Sequence, residues 1–362
     1  MAKEKKKWWW LLGVLAFVIY VFIAARPITE ETVLNPRWIT SLESNFPVNL
    51  GHSSAAEGET PLPFRLGDRY GYVGDDGKFI INQRAKGYIS LSQKNWAEYE
   101  AQPSSIRVMN PLDGLVLDIE KPGGYPLFLD NRIFMVGSEQ NSISAIGPNG
   151  EVLWTYDFAA PLTCIDASGG YLLAGTLNGV VELLNSDGKP VFTPFEPGGS
   201  RLSVILGCAI STDASRLAII SGIDNQRFLL LEHAGDTYRV IYHEFLSAGF
   251  RRPVHISFVD NSGKVAFERE GGLGIYDIAS RTSIDLPLDG EIEVLDNSGG
   301  NRFLFMITSK GPMQKCFIAI RYPGTIVINA PFKSETAFFT RRNNKLYLGG
   351  DLTMASFELG SK

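Results

Sequence analysis

The sequence predicts an all-β domain, made of small sheets that repeat along the chain, behind a single N-terminal helix. From residue 62 onward, short apolar runs recur and are separated by turns rich in Gly, Asp and Asn. Helical periodicity is nearly absent after residue 25. Gly (37 residues) and aromatic residues (11%) are plentiful, and these residue types favour turns and strands, respectively.

The first element is an uncharged apolar run, Trp8–Ala25, which follows Lys3 and Lys5–Lys7. As an α-helix it would reach about 27 Å, close to the hydrocarbon thickness of a bilayer. The lysines favour the cytoplasmic side of a membrane. We therefore expect a cytoplasmic tail (residues 1–7), a single-pass signal anchor in the cytoplasmic (inner) membrane (8–25) and a periplasmic remainder. A cleaved signal peptide is the alternative, because Ile23–Ala25 could serve as a cleavage site.

Residues 26–61 are predicted to form a linker, because they are rich in proline and in small, polar residues. Within this linker, Trp38–Leu42 has the composition of a strand. Residues 62–362 are predicted to form one β domain.

Seven units follow at a spacing near 35–45 residues, and most of them contain four apolar runs. The units lie at residues 62–120, 126–158, 162–195, 204–246, 254–288, 291–332 and 336–359. Four strands per unit at this period predict a seven-bladed β-propeller. The last unit has only three runs, and a ring must close to protect its sheet edges. We therefore expect Trp38–Leu42 to add the missing strand.

The segment Ala145–Trp154 (AIGPNGEVLW) resembles the repeat of quinoprotein-like (PQQ-like) β-propellers, in which a Gly turn and a following Trp end each blade and the Trp docks between blades. Leu183–Phe192 and Val108–Leu117 are similar to it, whereas Ala209–Ala218 resembles WD40-like blades. The resemblance implies one of two functions. Some members are dehydrogenases that hold a quinone and calcium, and they carry adjacent cysteines that this sequence lacks. Others, including an outer-membrane assembly lipoprotein, are non-catalytic scaffolds.

Composition argues against several functional classes. The chain has 34 basic and 39 acidic residues and a formal net charge of −5, so a nucleic-acid partner is not expected. Cys164, Cys208 and Cys316 form no CxxC pair, which argues against zinc and thioredoxin-like sites. We expect these three cysteines to be small core residues.

The sequence offers no candidate catalytic, cofactor-binding or metal-binding residues. Its four histidines lack a second histidine at ligand spacing, and its glycine pairs lack the pattern of a phosphate loop. We therefore expect no cofactor, no metal and no enzymatic activity.

Candidate partner-binding residues come from one face of the ring. In a propeller, the loops after each fourth strand share a face with the loops between second and third strands. Arginine and aromatic residues on such loops are typical of protein interfaces. The candidates are Arg227, Phe250, Arg251, Arg252, Arg269, Lys310, Phe332 and Lys333.

Together these observations predict a membrane-tethered, extracytoplasmic propeller that acts as a protein-protein interaction scaffold. The expected partners are proteins of the cell envelope, and the membrane itself through Trp8–Ala25. The first alternative is a sensor that binds a small molecule or glycan at the channel mouth. The second is a propeller enzyme of the quinoprotein type.

Overall fold

The computed structural model describes residues 2–24, 32–43, 60–296 and 302–361. In these ranges one helix, α1 (Ala2–Ala24), is followed by β-strands that form eight antiparallel sheets. The fold is an eight-bladed β-propeller, so the all-β prediction is confirmed and the predicted number of seven blades was wrong.

The strands are numbered along the chain, and β1 (Thr32–Ser41) precedes the first blade. Blade 1 contains β2 (Leu62–Leu66), β3 (Arg69–Val73) and β4 (Phe79–Arg84), and blade 2 contains β5 (Tyr88–Leu91), β6 (Trp96–Tyr99), β7 (Ser105–Asn110) and β8 (Gly114–Glu120). Blade 3 contains β9 (Gly124–Leu129), β10 (Arg132–Gly137), β11 (Ser142–Ile146) and β12 (Val152–Asp157), and blade 4 contains β13 (Leu162–Ser168), β14 (Tyr171–Thr176) and β15 (Val181–Leu184).

Blades 5 to 8 complete the ring, and β1 joins blade 8. Blade 5 contains β16 (Ile205–Ile210), β17 (Arg216–Ser221), β18 (Arg227–Ala234) and β19 (Thr237–Phe245), and blade 6 contains β20 (Ile256–Val259), β21 (Lys264–Arg269), β22 (Gly272–Asp277) and β23 (Thr282–Pro287). Blade 7 contains β24 (Glu291–Leu295), β25 (Phe303–Gly311), β26 (Gln314–Arg321) and β27 (Thr325–Lys333), and blade 8 contains β28 (Ala337–Arg342), β29 (Lys345–Gly350) and β30 (Thr353–Ser361).

The additional blade comes from residues 62–120, which the repeat analysis treats as one long unit. This segment forms two sheets, β2–β4 and β5–β8, linked by residues 85–87. In the described chain, blade 1 has three strands instead of four, so its apolar runs merge with those of blade 2 in the sequence pattern. Blade 4 also has three strands, and isolated bridges to Pro190 and Phe195 extend its outer edge.

The ring closes through β1, which pairs antiparallel with β30 and is the outermost strand of blade 8. This strand begins at Thr32, upstream of the predicted 38–42 segment, and its pairing shifts register between Pro36 and Trp38. The indole Nε1–H of Trp38 donates to the carbonyl of Asp75 in blade 1 at 2.9 Å. The chain therefore joins its last blade to its first through an N-terminal strand.

Trp154 makes the same kind of contact in the middle of the ring. It lies on β12, the outermost strand of blade 3, and its Nε1–H donates to the carbonyl of Ser186 in blade 4 at 2.8 Å. The indole ring of Trp154 covers Gly188. This glycine has a φ of 73°, and there is no room for a Cβ between it and the indole. Trp154 thus docks between blades, as the resemblance to PQQ-like repeats implies.

The core consists of apolar side chains packed between neighbouring sheets. Phe228 of blade 5 stacks on Phe267 of blade 6 with ring centroids 4.4 Å apart, and both side chains are fully buried. Phe305 of blade 7 contacts Phe339 of blade 8 at a centroid distance of 5.7 Å. Each blade therefore contributes to two layers of the core, which fixes the positions of the loops at the blade ends.

The helix does not match the predicted transmembrane anchor. Among the described residues, no helix combines the length and the apolar character that a membrane crossing requires. The first turns of α1 contain Lys3 and Lys5–Lys7, so the apolar stretch is only part of the helix. The predicted transmembrane helix and the predicted single-pass localisation in the inner membrane were therefore wrong.

Candidate functional site

Two recesses open on one face of the propeller, which we call the loop face. This face carries the loops that follow the fourth strands and the loops between the second and third strands. The smaller, about 270 Å³, lies between the β19–β20 loop, the β21–β22 turn and the β23–β24 connection, and we call it the blade 6 recess. The larger, about 640 Å³, lies between the end of β23 and the strands β25–β27, and we call it the blade 6–7 groove. Five of the eight candidate residues line one or the other, and two more, Arg251 and Arg252, lie on the loop beside the blade 6 recess.

Arg252 holds the β19–β20 loop beside the blade 6 recess. Its Nη2 donates to Oε1 of Glu268 at 2.7 Å and its Nη1 donates to Oε2 at 3.1 Å. The Glu268 side chain is only 3% exposed and also accepts the backbone N–H of His255. Hydrogen bonds from Arg252 to this carboxylate raise the pKa of the guanidinium despite its partial burial. Arg252 therefore fixes the loop instead of offering a free cation.

Phe250 and Arg251 lie on the loop that Arg252 fixes. Phe250 lines the recess, and the guanidinium carbon of Arg252 is 4.9 Å from its ring centroid. Arg251 is exposed, and no residue in the described part of the chain makes a hydrogen bond or ion pair with its side chain. The loop thus presents an available cation beside a half-buried aromatic ring.

Arg269 lines the same recess from the β21–β22 turn, but its charge is balanced. It forms an ion pair with Asp285 and lies 4.0 Å from Glu244, and its side chain is 20% exposed. Arg269 therefore mainly stabilises the side of the recess, through its contacts with Asp285 and Glu244.

Arg227 is separated from both recesses. Its guanidinium carbon lies 5.5 Å from the Phe245 ring centroid, and its Nη1 donates to the carbonyl of Pro197 at 3.4 Å. It packs under the loop that connects blades 4 and 5, close to Gly199. The structure therefore does not bring Arg227 together with the other candidates.

The other three candidates, Lys310, Phe332 and Lys333, line the blade 6–7 groove. Lys310 forms an exposed ion pair with Asp289, which is also at the groove. Lys333 is exposed, and the described residues provide no ion-pair partner for it. Phe332 is half-buried against the core that blades 7 and 8 share.

Sequence reasoning missed several residues of the groove because they lie on strands whose alternating pattern predicts burial. The ammonium group of Lys315 is bound by Glu293 and lies 3.1 Å from Oγ of Ser309, and its side chain is 4% exposed. The Cys316 thiol donates to Oδ1 of Asn329 at 2.8 Å, and burial raises its pKa. Nothing in the spacing of the sequence identifies these partners, because they are set by the register between strands.

In the ranges that the structure describes, no group of three His, Cys, Asp or Glu side chains is arranged to hold a metal ion. The blade 6 recess nevertheless carries the carboxylates of Glu268, Glu270 and Glu291 next to Arg269 and Phe250.

Comparisons with known proteins agree with this architecture. An uncharacterized protein of Treponema pallidum (strain Nichols) is 25% identical over 99% of this chain and 95% of its own length. The crystal structure of BamB from Moraxella catarrhalis superposes with a TM-score of 0.58 and 15% identity, over 90% of this chain and all of that chain. At this identity the second likeness concerns the fold alone. A family model described as "beta-propeller protein" matches residues 1–361, and the chain therefore belongs to the beta-propeller protein family.

Proposed function

We propose that this protein is a non-catalytic scaffold that binds partner proteins through the loop face of its propeller. The observation that carries the proposal is the position of Phe250 at one recess, with Arg251 next to it on the same loop, and of Lys310, Phe332 and Lys333 at a second recess of the same face. Arginine and aromatic residues are enriched in protein interfaces, and arginine is frequent among the residues that dominate binding energy.

The rigidity of the loop supports the same proposal. Arg252 binds the buried Glu268 through two hydrogen bonds, so the loop that presents Arg251 is ordered before any partner arrives. A pre-ordered loop loses less conformational entropy on association, which leaves more of the contact energy for affinity.

We propose proteins of the cell envelope as the partners. This part of the proposal rests on the resemblance of the Ala145–Trp154 repeat to a family that includes a scaffold of outer-membrane assembly. The match to a BamB structure supports the same propeller architecture.

The test is chemical cross-linking in intact cells followed by affinity capture of the tagged full-length chain. Arg251→Glu reverses the exposed cation of the loop face, and Lys189→Glu reverses an exposed cation in a turn on the opposite face. We expect Arg251→Glu to lose partners that the wild-type protein and Lys189→Glu retain. Equal capture by all three proteins would contradict a role for this face, and capture of no partner at all would contradict the scaffold.

A second candidate is a sensor that binds a small molecule or glycan. The blade 6–7 groove, at about 640 Å³, favours it, because small-molecule sites commonly measure about 300–1,000 Å³. Thermal unfolding in the presence of a panel of glycans and metabolites tests this candidate. A saturable rise in the unfolding midpoint that Ile326→Glu abolishes would support it over the scaffold, since Ile326 lines the groove and is 40% exposed.

A further inference from the structure

The blade 6–7 groove has one apolar wall that reaches the rim of the propeller. Leu288 lies on the blade 6 side, and Ile318 and Ile326 lie on the blade 7 side. Ile326 is 40% exposed although it lies beside an apolar cluster that the two blades share. An apolar side chain from outside could therefore extend this core into the groove.

The same groove carries an excess of positive charge in a protein whose net charge is negative. Lys310, Lys315 and Lys333 line it together with a single carboxylate, that of Asp289. Lys315 is neutralised by Glu293, and Lys310 by Asp289. Lys333 is the exposed cation that has no ion pair with any described residue. The groove is thus complementary to an extended ligand that is apolar at the Ile326 end of β27 and acidic at the Lys333 end, seven residues along the strand.

The outer wall of the groove is a strand with an available edge. β27 is the outermost strand of blade 7 and pairs with β26 on one side in the described sheet. An edge strand can accept main-chain hydrogen bonds from an added extended segment. A peptide, which has such a backbone, therefore fits this groove better than a compact solute.

We propose that the blade 6–7 groove binds an extended segment of a partner protein in which a large apolar side chain is separated by about six or seven residues from an Asp or Glu. The apolar side chain packs on Ile326 at one end of β27, beside the buried Ile318, and the carboxylate pairs with Lys333 at the other end. The proposal rests on the scaffold function and adds to it the chemistry of the recognised segment.

The test is selection of a random short-peptide library, displayed on phage, on the purified full-length chain. Lys333→Glu removes the available cation, and Lys94→Glu is the matched control at an exposed lysine far from the groove. We expect enriched peptides to combine a large apolar residue with an Asp or Glu about six or seven positions away. A synthetic peptide from this pool should bind Lys333→Glu about tenfold more weakly than it binds the wild-type protein, with no change for Lys94→Glu.

A charge swap separates recognition from damage to the fold. Replacing the acidic residues of the peptide by Lys should weaken binding to the wild-type protein and improve binding to Lys333→Glu, and added salt should reduce both preferences. Absence of enriched peptides, an enriched pool without acidic residues, or equal affinities for Lys333→Glu and Lys94→Glu would overturn the proposal. If cross-linked partners are captured in cells while this test fails, the groove is wrong and the scaffold stands; if neither gives a partner, the scaffold fails as well.

Discussion

The indole nitrogen of Trp38 lies 2.9 Å from the carbonyl oxygen of Asp75, and this hydrogen bond joins the first strand of the chain to its first blade. The Asp75 carboxylate continues the junction into blade 8. It accepts the hydroxyl of Tyr347 at 2.7 Å, binds the ammonium group of Lys345 and lies 3.6 Å from Arg342. One turn of blade 1 thus contacts three strands of blade 8.

Removal of the Trp38 ring should open this junction. We expect Trp38→Ala to lower the free energy of unfolding by about 2–4 kcal/mol, because the half-buried indole and its hydrogen bond are both lost. Ile39→Ala is the control, since Ile39 is on the same strand and 74% exposed. Chemical denaturation of the two variants measures the difference, and similar losses for both would contradict a closing role for Trp38.

Asp75 should make the junction sensitive to acid. Burial opposes ionisation of Asp75, but hydrogen bonds from Lys345 and Tyr347 and the nearby Arg342 outweigh it and lower its pKa. Because the folded pKa lies below the unfolded value of about 4, this contribution to stability is complete above pH 4 and is lost as the pH falls through the folded pKa.

Asp75→Asn tests whether the contribution of Asp75 to stability is lost as the pH falls. The variant should be less stable than the wild-type protein at pH 7, and the gap should narrow below about pH 4. Asp113→Asn, at an exposed turn, is the control and should change the stability at pH 7 by less than about 0.5 kcal/mol. Denaturation at a series of pH values measures both, and a constant gap would show that the Asp75 charge does not support the junction.

Gly188 should tolerate no side chain beneath Trp154. Its φ is 73°, and a Cβ would overlap the indole ring. Gly198 has a similar φ of 65° but no atom within 4 Å of the same Cβ position. We expect Gly198→Ala to cost about 1 kcal/mol for its backbone conformation and Gly188→Ala to cost about 1–3 kcal/mol more. Equal losses of stability in Gly188→Ala and Gly198→Ala, measured by thermal unfolding, would show that the contact between Gly188 and Trp154 is not tight.

The effects of changing Arg252 and Glu268 on the free energy of unfolding should depend on each other, whereas a change of Arg251 should leave it almost unaltered. Arg252→Ala leaves a 3%-exposed carboxylate without its cation, so we expect a loss of about 2 kcal/mol, reduced by the 38% exposure of the arginine. Arg251→Ala should change stability by less than about 0.5 kcal/mol. A double-mutant cycle with Glu268→Gln measures the coupling, and an additive cycle would contradict the loop-fixing role of Arg252.

The strand content and the ring fold could be predicted because each strand shows its own alternation and turn residues. The number of blades could not, because β2–β4 lacks the fourth strand that most of the other blades have and merges with β5–β8 in the pattern. The transmembrane anchor was predicted from the length of the apolar run Trp8–Ala25, but no helix among the described residues has the length and apolar character of a membrane crossing.

The site was accessible to sequence reasoning only in part. Loop residues such as Phe250 and Lys333 stand out by type and position. Their partners do not, because the contact of Arg252 with Glu268 depends on the pairing of β20 with β21 in blade 6. This pairing also decides that Arg252 is bound, whereas Arg251, its neighbour in the sequence, is available.

The most direct measurement is site-specific photo-cross-linking in living cells. A photoreactive phenylalanine analogue is placed at position 251 on the loop face or at position 189 on the opposite face, and adducts are identified by mass spectrometry. A scaffold that works through its loop face predicts discrete protein adducts from position 251 and none from position 189. Adducts from position 189 alone, or an identical set from both positions, would contradict the account.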